Sequence, residues 1–228
     1  MSDWLEFTLA LAVFFLSHAL PVRPPVKPWL VARLGARGFA LAYSVLSLAI
    51  LIWLVGAAGR APHVALWYHA PWQSHLALAL MLPACLLLSV GAASVNPLSF
   101  GGRSGRFDPA APGIAGLARH PLLLAILLWA LAHLAANGTL AQALLFGLFA
   151  AFAGFGMRLI DRRRQAEWGR ERWAETAHAT ALFPFAALVA GRWTPRGAVP
   201  VLPLLAGLAL YVVLIMLHRP VIGVSPLP

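Results

Sequence analysis

The 228-residue chain has a single cysteine, Cys85, only seven acidic side chains, and 11% charged residues overall. One cysteine excludes an internal disulfide and any multi-cysteine zinc or iron–sulfur site. Soluble domains run at about 25% charged and about 45–50% apolar residues. A chain that is 61% hydrophobic lies outside that range, and its mean hydropathy of +0.81 agrees. Disorder is excluded as well, because so much apolar surface does not stay solvated. There is no Gly-x-Ser-x-Gly, Walker or dinucleotide fingerprint, no internal repeat and no low-complexity tail. The net charge of +10 is spread between apolar blocks and forms no single basic stripe, which argues against a nucleic-acid partner. What remains is a small, all-α, polytopic membrane protein with one domain over residues 1–228.

A helix needs about 20 residues to cross the hydrocarbon core. Six apolar stretches are expected to do so: Trp4–Leu20, Phe39–Ala58, Leu76–Val95, Pro121–Ala136, Leu140–Leu159 and Val199–Leu217, the fourth being short. Glu6, at the outer edge of the first stretch, is the one carboxylate within these limits. A leader with Asp3 and Glu6 and no basic residue lacks the cationic start of a signal peptide, so the first stretch is expected to be a retained helix. Gly147, Ala151 and Gly154 suit close helix packing, and Cys85 beside Pro83 suits core packing at a kink.

The basic residues set the expected orientation. Arg23, Lys27, Arg33 and Arg37 follow the first stretch; Arg103, Arg106 and Arg119 precede the fourth; the arginines from Arg158 to Arg196 follow the fifth. Only Arg60 and Arg219 fall on the other side. Alternate loops are therefore basic, which places both termini on the non-cytoplasmic side and makes anionic headgroups a partner. The charged segment Asp161–His178, with Trp168 and Trp173, is expected to lie as a helix in the cytoplasmic interface. His63, His69 and His75 recur every six residues, share no helical face, and read as interfacial decoration along with Trp67, Tyr68 and Trp72.

Ionisable residues inside a membrane are costly and hence functional candidates. Here they are histidines: His18, His120, His133 and, closing the last helix, His218. Without an intramembrane carboxylate a proton-coupled transporter lacks its relay, and a hard cation lacks oxygen ligands. Neutral imidazoles in an apolar box suit haem iron. Each histidine also has a bland role. His18 and His133 could bond a carbonyl on a neighbouring helix, His120 could cap or touch a headgroup, and His218 reads as an interfacial end-of-helix residue.

Several segments carry a family resemblance. They are Ser17-His18, Leu34-Gly35-Ala36-Arg37 with Tyr43 and Ser47-Leu48, Ala61-Pro62 with Trp67, and Asn96-Pro97. The strongest is Gly113-Ile114 leading to Arg119-His120-Pro121, then Trp129, Leu131-Ala132-His133 and Gly138. Asp161-Arg162-Arg163 and Pro184-Phe185-Ala186-Ala187 with Gly191-Arg192 complete the set. In this order the chain resembles the NnrU family of bacterial membrane proteins, related to the zeta-carotene isomerase of plants and cyanobacteria. The resemblance implies an inner-membrane protein with a b-type haem, held in the isomerase branch by two histidines that fall here on His18 and His133. It implies either nitric oxide metabolism in denitrification or a redox-gated isomerisation, acting on a small gas or an apolar substrate with a redox partner. Arg37, Arg119 or Arg162 could pair with haem propionates, since the guanidinium fork matches a carboxylate; a headgroup contact is the bland role for each.

Depth and resemblance pull apart. At 1.5 Å per residue His18 lies about 7 Å, and His133 roughly 20 Å, inside the cytoplasmic edge, a difference of about 12 Å. His120 is closer in depth to His18 and stands as the substitute second ligand. Arg-His-Pro before a helix and a later Phe-Pro element also resemble isoprenylcysteine carboxyl methyltransferases, which bind S-adenosylmethionine. Those enzymes carry a Glu-Glu pair where this chain has Asp161-Arg162. A haem electron carrier or sensor is a third, non-catalytic reading, because two axial histidines fill both iron faces.

Overall fold

The computed structural model describes residues 2–228, and its regular structure is helical. Nine helices form among the described residues: α1 (Ser2–Ala19), α2 (Val26–Arg60), α3 (Pro71–Ala93), α4 (Ile114–Leu117), α5 (Pro121–Ala136), α6 (Leu140–Trp168), α7 (Arg170–Ala177), α8 (Ala186–Val189) and α9 (Val201–Ile222). Extended pairing among them is limited to isolated bridges, Ala65 with Thr139 and Val95 with Arg103. Four helices, α2, α3, α6 and α9, are long and apolar enough to cross a membrane by length and composition. Of the six expected spans, four meet these criteria in full. α1 has 18 residues and carries Asp3 and Glu6 in its first turns. The 16 residues of α5 reach about 24 Å at 1.5 Å per residue, short of a core about 30 Å thick.

The chain forms two compact units, divided within α6: Met1–Tyr68 with Gly138–Leu145, and His69–Asn137 with Phe146–Pro228. In the first, α1 packs on α2. Glu6 near the start of α1 accepts hydrogen bonds from Trp53 Nε1 (3.1 Å) and Arg60 (2.6 Å) near the end of α2, so the two helices run antiparallel. α2 begins earlier than hydropathy suggests, because residues 26–34 already coil where a loop was expected. Its path breaks at Gly35, whose φ of 71° and ψ of 163° are non-helical. Only glycine takes such angles without a steric penalty.

In the second unit α3 is the hub, packed on both α5 and α9. Gln73, in the first turn of α3, is buried and donates to the Ala135 carbonyl at the end of α5 (2.7 Å). At the other end of α3 a Cβ on Gly91 would lie 3.0 Å from Pro121 at the start of α5. α9 is also antiparallel to α3: Ser89 donates to the Pro203 carbonyl (2.6 Å), and Tyr211 to that of Leu78 (3.2 Å). Between these bonds Gly207 sits where a Cβ would meet the Cys85 carbonyl and the Leu86 Cα at 3.0 Å. The glycines that let α3 approach α5 and α9 are thus Gly91 and Gly207. The expected role of Gly147 and Gly154 is corrected: a Cβ on either would meet nothing within 4 Å, and Ala151 is exposed. Cys85 is buried beside Pro83, as expected.

The charged segment also departs from expectation. Rather than a separate interfacial helix from Asp161, α6 carries on without a break to Trp168. The chain turns at Gly169 (φ 82°) and only then forms the eight-residue α7. Pairs at helical spacing, Arg163–Glu167 (2.8 Å) and Arg164–Glu167 (2.9 Å), support the extension, as opposite charges three and four residues apart do on a helix surface.

Candidate functional site

At the basic end of the second unit, Arg119 and His120 meet the single carboxylate of α6 that faces inward. His120 is the residue before Pro121, with φ −118° and ψ 68°, because a proline ring disfavours helical angles in its predecessor. This turn sends the imidazole into the protein, where it is 1% exposed. Its Nε2 lies 2.9 Å from Asp161 Oδ1 and its Nδ1 3.0 Å from Ser99 Oγ. A carboxylate only accepts, so the neutral ring carries its proton on Nε2 and takes the Ser99 hydroxyl proton at Nδ1.

Arg119 completes the cluster. Its Nη1 donates to Asp161 Oδ2 (2.5 Å) and its Nε to Thr180 Oγ1 (2.8 Å), while the guanidinium lies 5.2 Å from the Trp173 ring centre. The Arg119 and Asp161 side chains are 14% and 18% exposed. Backbone bonds hold the frame around them: Asn96 Nδ2 donates to the Arg119 carbonyl (2.9 Å), Arg119 N to that of Ala181 (2.9 Å), and Phe185 N to that of Leu117 (2.9 Å). Arg-His-Pro, Asn-Pro, Asp161 and the Phe-Pro-Phe element are therefore parts of one polar clamp. Sequence reasoning quoted these segments without linking them. Asp161 was the missed residue, and its signal was that it is the only acid between Asp108 and Glu167.

Both ring nitrogens of His120 have partners, so ligating a metal through it would cost the bond to Ser99 or to Asp161. A carboxylate ligand at Arg119 would likewise compete with Asp161. Arg37 on α2 and Arg162 on α6 are exposed. Beside the clamp, an open cleft of about 740 Å³ is lined by Glu175, His178, Arg192, Trp193 and Arg196 among others. Arg192 spans it to the carbonyls of His178 (2.5 Å) and Thr180 (3.1 Å).

The remaining expected ligands fall in different units, His18 in the first and His133 in the second. Each is half-buried and directs Nδ1 to the carbonyl four residues earlier: His18 to Phe14 (2.7 Å), His133 to Trp129 (2.8 Å). A carbonyl requires a donor, so the proton sits on Nδ1 and the Nε2 lone pair is available. That is the arrangement in which ligating histidines are held by their outer-shell partners. It is not unique to them, since exposed His75 does the same with Pro71 (2.9 Å). Among the described residues no three His, Cys, Asp or Glu side chains are grouped to hold a metal ion, which leaves one- or two-imidazole ligation as the chemistry these donors can offer.

Apolar helices that carry their few charges at the ends, with one buried ionic clamp, define a helical integral membrane protein. The chain belongs to the NnrU family, whose model, described as NnrU protein, matches residues 6–226. Neither the curated proteins nor the solved structures yield a match.

Proposed function

We propose that this protein is a haem-b-binding member of the NnrU family, with His133 as one axial ligand and His18, by the resemblance, as the other. The observation that supports this most is the fixed Nδ1–H of both rings, which leaves Nε2 unprotonated in a segment poor in competing charge. The chemistry such a haem supplies is one-electron redox change at iron, with nitric oxide or an apolar polyene as the substrate class. The protein's own part is to hold imidazoles in a low-dielectric surrounding and exclude water. For His133 that surrounding is Trp129 and Phe146, whose ring centres lie 5.2 and 5.0 Å away.

We place the chain in the bacterial inner membrane with six crossings and both termini on the non-cytoplasmic side. α5, though short, lies along α3 from Gln73 to Gly91, and α1 lies along the second half of α2. Each can cross beside its longer neighbour. The methyltransferase alternative is less favoured, because Arg119 and His120, the residues of its motif, already hold Asp161.

The test is an absorption spectrum of the purified protein, oxidised and reduced, beside His18→Ala, His120→Ala and His133→Ala. A low-spin bis-histidine spectrum that survives only in His120→Ala is the expected result. A folded, colourless protein made with ample haem supply would overturn the reading, and binding of S-adenosylmethionine by that protein would favour the methyltransferase.

A further inference from the structure

We propose that the cleft beside the clamp binds an anionic phospholipid, its phosphate on Arg192 and Arg196 and its acyl chains along α8 and the entry to α9. The proposal is independent of haem. It needs only α9 to cross the membrane, and it concerns the second unit alone, to which every lining residue belongs.

The cleft is built around a fixed guanidinium. Arg192 Nη1 donates to the carbonyls of His178 (2.5 Å) and Thr180 (3.1 Å), yet the residue stays exposed. Two carbonyls thus hold the planar fork still, and its remaining N–H donors suit a phosphate, which takes paired N–H···O bonds. The backbone is held as well, because Arg192 N and Trp193 N both donate to the Ala187 carbonyl of α8 (2.9 and 3.2 Å). The half-buried Trp193 ring seats directly against Gly116, where no side chain would fit. Arg196 lines the same cleft four residues further on.

The lining chooses among anions. α7 contributes Glu175 to the wall. Two guanidiniums against one carboxylate suit a singly charged phosphodiester better than a doubly charged free phosphate. The carboxylate also accepts from hydroxyl groups, which a glycerol headgroup supplies. What lies on either side of the lining loop then favours a lipid over a soluble ester. Val189, closing α8, is 86% exposed, and Val199 and Leu202, at the entry to α9, are 67% and 77% exposed. α9 is one of the helices long and apolar enough to cross a membrane. A basic pocket flanked by lipid-facing apolar residues offers a place to both ends of one phospholipid. In the sequence Arg192 and Arg196 read only as charges that set orientation, because nothing along the chain links them to α7.

The experiment is native mass spectrometry of the full chain in detergent, titrated with phosphatidylglycerol, with phosphatidylcholine, or with soluble glycerophosphoglycerol, the same headgroup without chains. A retained phosphatidylglycerol is expected, with the other two held far more weakly. Arg192→Gln and Arg196→Gln are each expected to weaken its binding about tenfold, as loss of a charge-assisted bond does. Arg196 takes no part in the carbonyl bonds of Arg192, so its variant guards against misfolding of the other. Arg163→Gln, on an exposed face of α6, is expected to bind as the wild type does. An equal loss in Arg163→Gln and Arg196→Gln would reduce the effect to general attraction between arginines and headgroups and overturn the site. Glycerophosphoglycerol binding as tightly as the lipid overturns the lipid as occupant. No retained lipid in the wild-type protein overturns the proposal outright and leaves the haem reading standing.

Discussion

Asp161 receives Arg119 on one carboxylate oxygen (2.5 Å) and His120 on the other (2.9 Å), so two consecutive residues before α5 are tied to one residue of α6. Removing one partner of a buried charge pair is costly because the other charge stays behind, desolvated and unpaired. Asp161→Ala is expected to destabilise the protein by about 3 kcal/mol. Asp161→Asn, which keeps the shape and can still accept a bond, should cost less. Thermal unfolding in detergent measures both, and equal midpoints for Asp161→Ala and wild type would remove the clamp from the account of stability.

His120 fills its space completely and partners two side chains. Its replacement by alanine opens a cavity and strands the Ser99 hydroxyl and an Asp161 oxygen. A loss of about 2–4 kcal/mol is expected from one or two unsatisfied groups. Because this cost is structural, any haem spectrum should persist in the fraction that remains folded. Unfolding midpoints and spectra taken on the same samples separate the two effects.

Gly207 and Gly154 make a matched pair of tests. A side chain at 207 meets backbone atoms of α3, which cannot rotate away. Gly207→Leu should therefore push α9 off α3, with a loss of about 1–3 kcal/mol. Gly154→Ala meets no neighbour and should be neutral or stabilising by up to about 1 kcal/mol, through helix propensity alone. The opposite ranking in a thermal assay would contradict the packing described here.

Gln73 links α3 to α5 away from the clamp. Its amide donates to the Ala135 carbonyl and its oxygen accepts from Ala70 N (2.5 Å), which starts α3 in the manner of a capping box. Gln73→Ala should cost about 1–3 kcal/mol, and Gln73→Glu, which sets a buried carboxylate against the Ala135 carbonyl, should cost at least as much. Hydrogen exchange at the first turn of α3 is the most direct readout.

Much of this was legible beforehand. Pro121–Ala136 matches α5 at both ends, since Pro121 starts the helix and Asn137-Gly138 stops it. The start of α2 and the end of α6 were not, because hydropathy marks where lipid-compatible residues stop and not where hydrogen-bonded turns stop. Residues 26–34 and 160–168 are charged yet remain helical. Gly147 and Gly154 looked like packing positions because composition says which residues permit close approach, while only tertiary structure says which helix face has a neighbour. The motif residues Arg119, His120 and Asp161 were visible singly, but the bond between positions about forty apart depends on α5 and α6 lying side by side.

The way α9 docks has a consequence for how the protein is made. α9 is made after α3, and until it arrives the Ser89 hydroxyl and the Leu78 carbonyl of α3 lack the partners that Pro203 and Tyr211 later supply. During synthesis the membrane therefore holds a nascent hub with one flank uncovered. Nascent chains stalled short of residue 201 should be the ones that quality-control proteases find first.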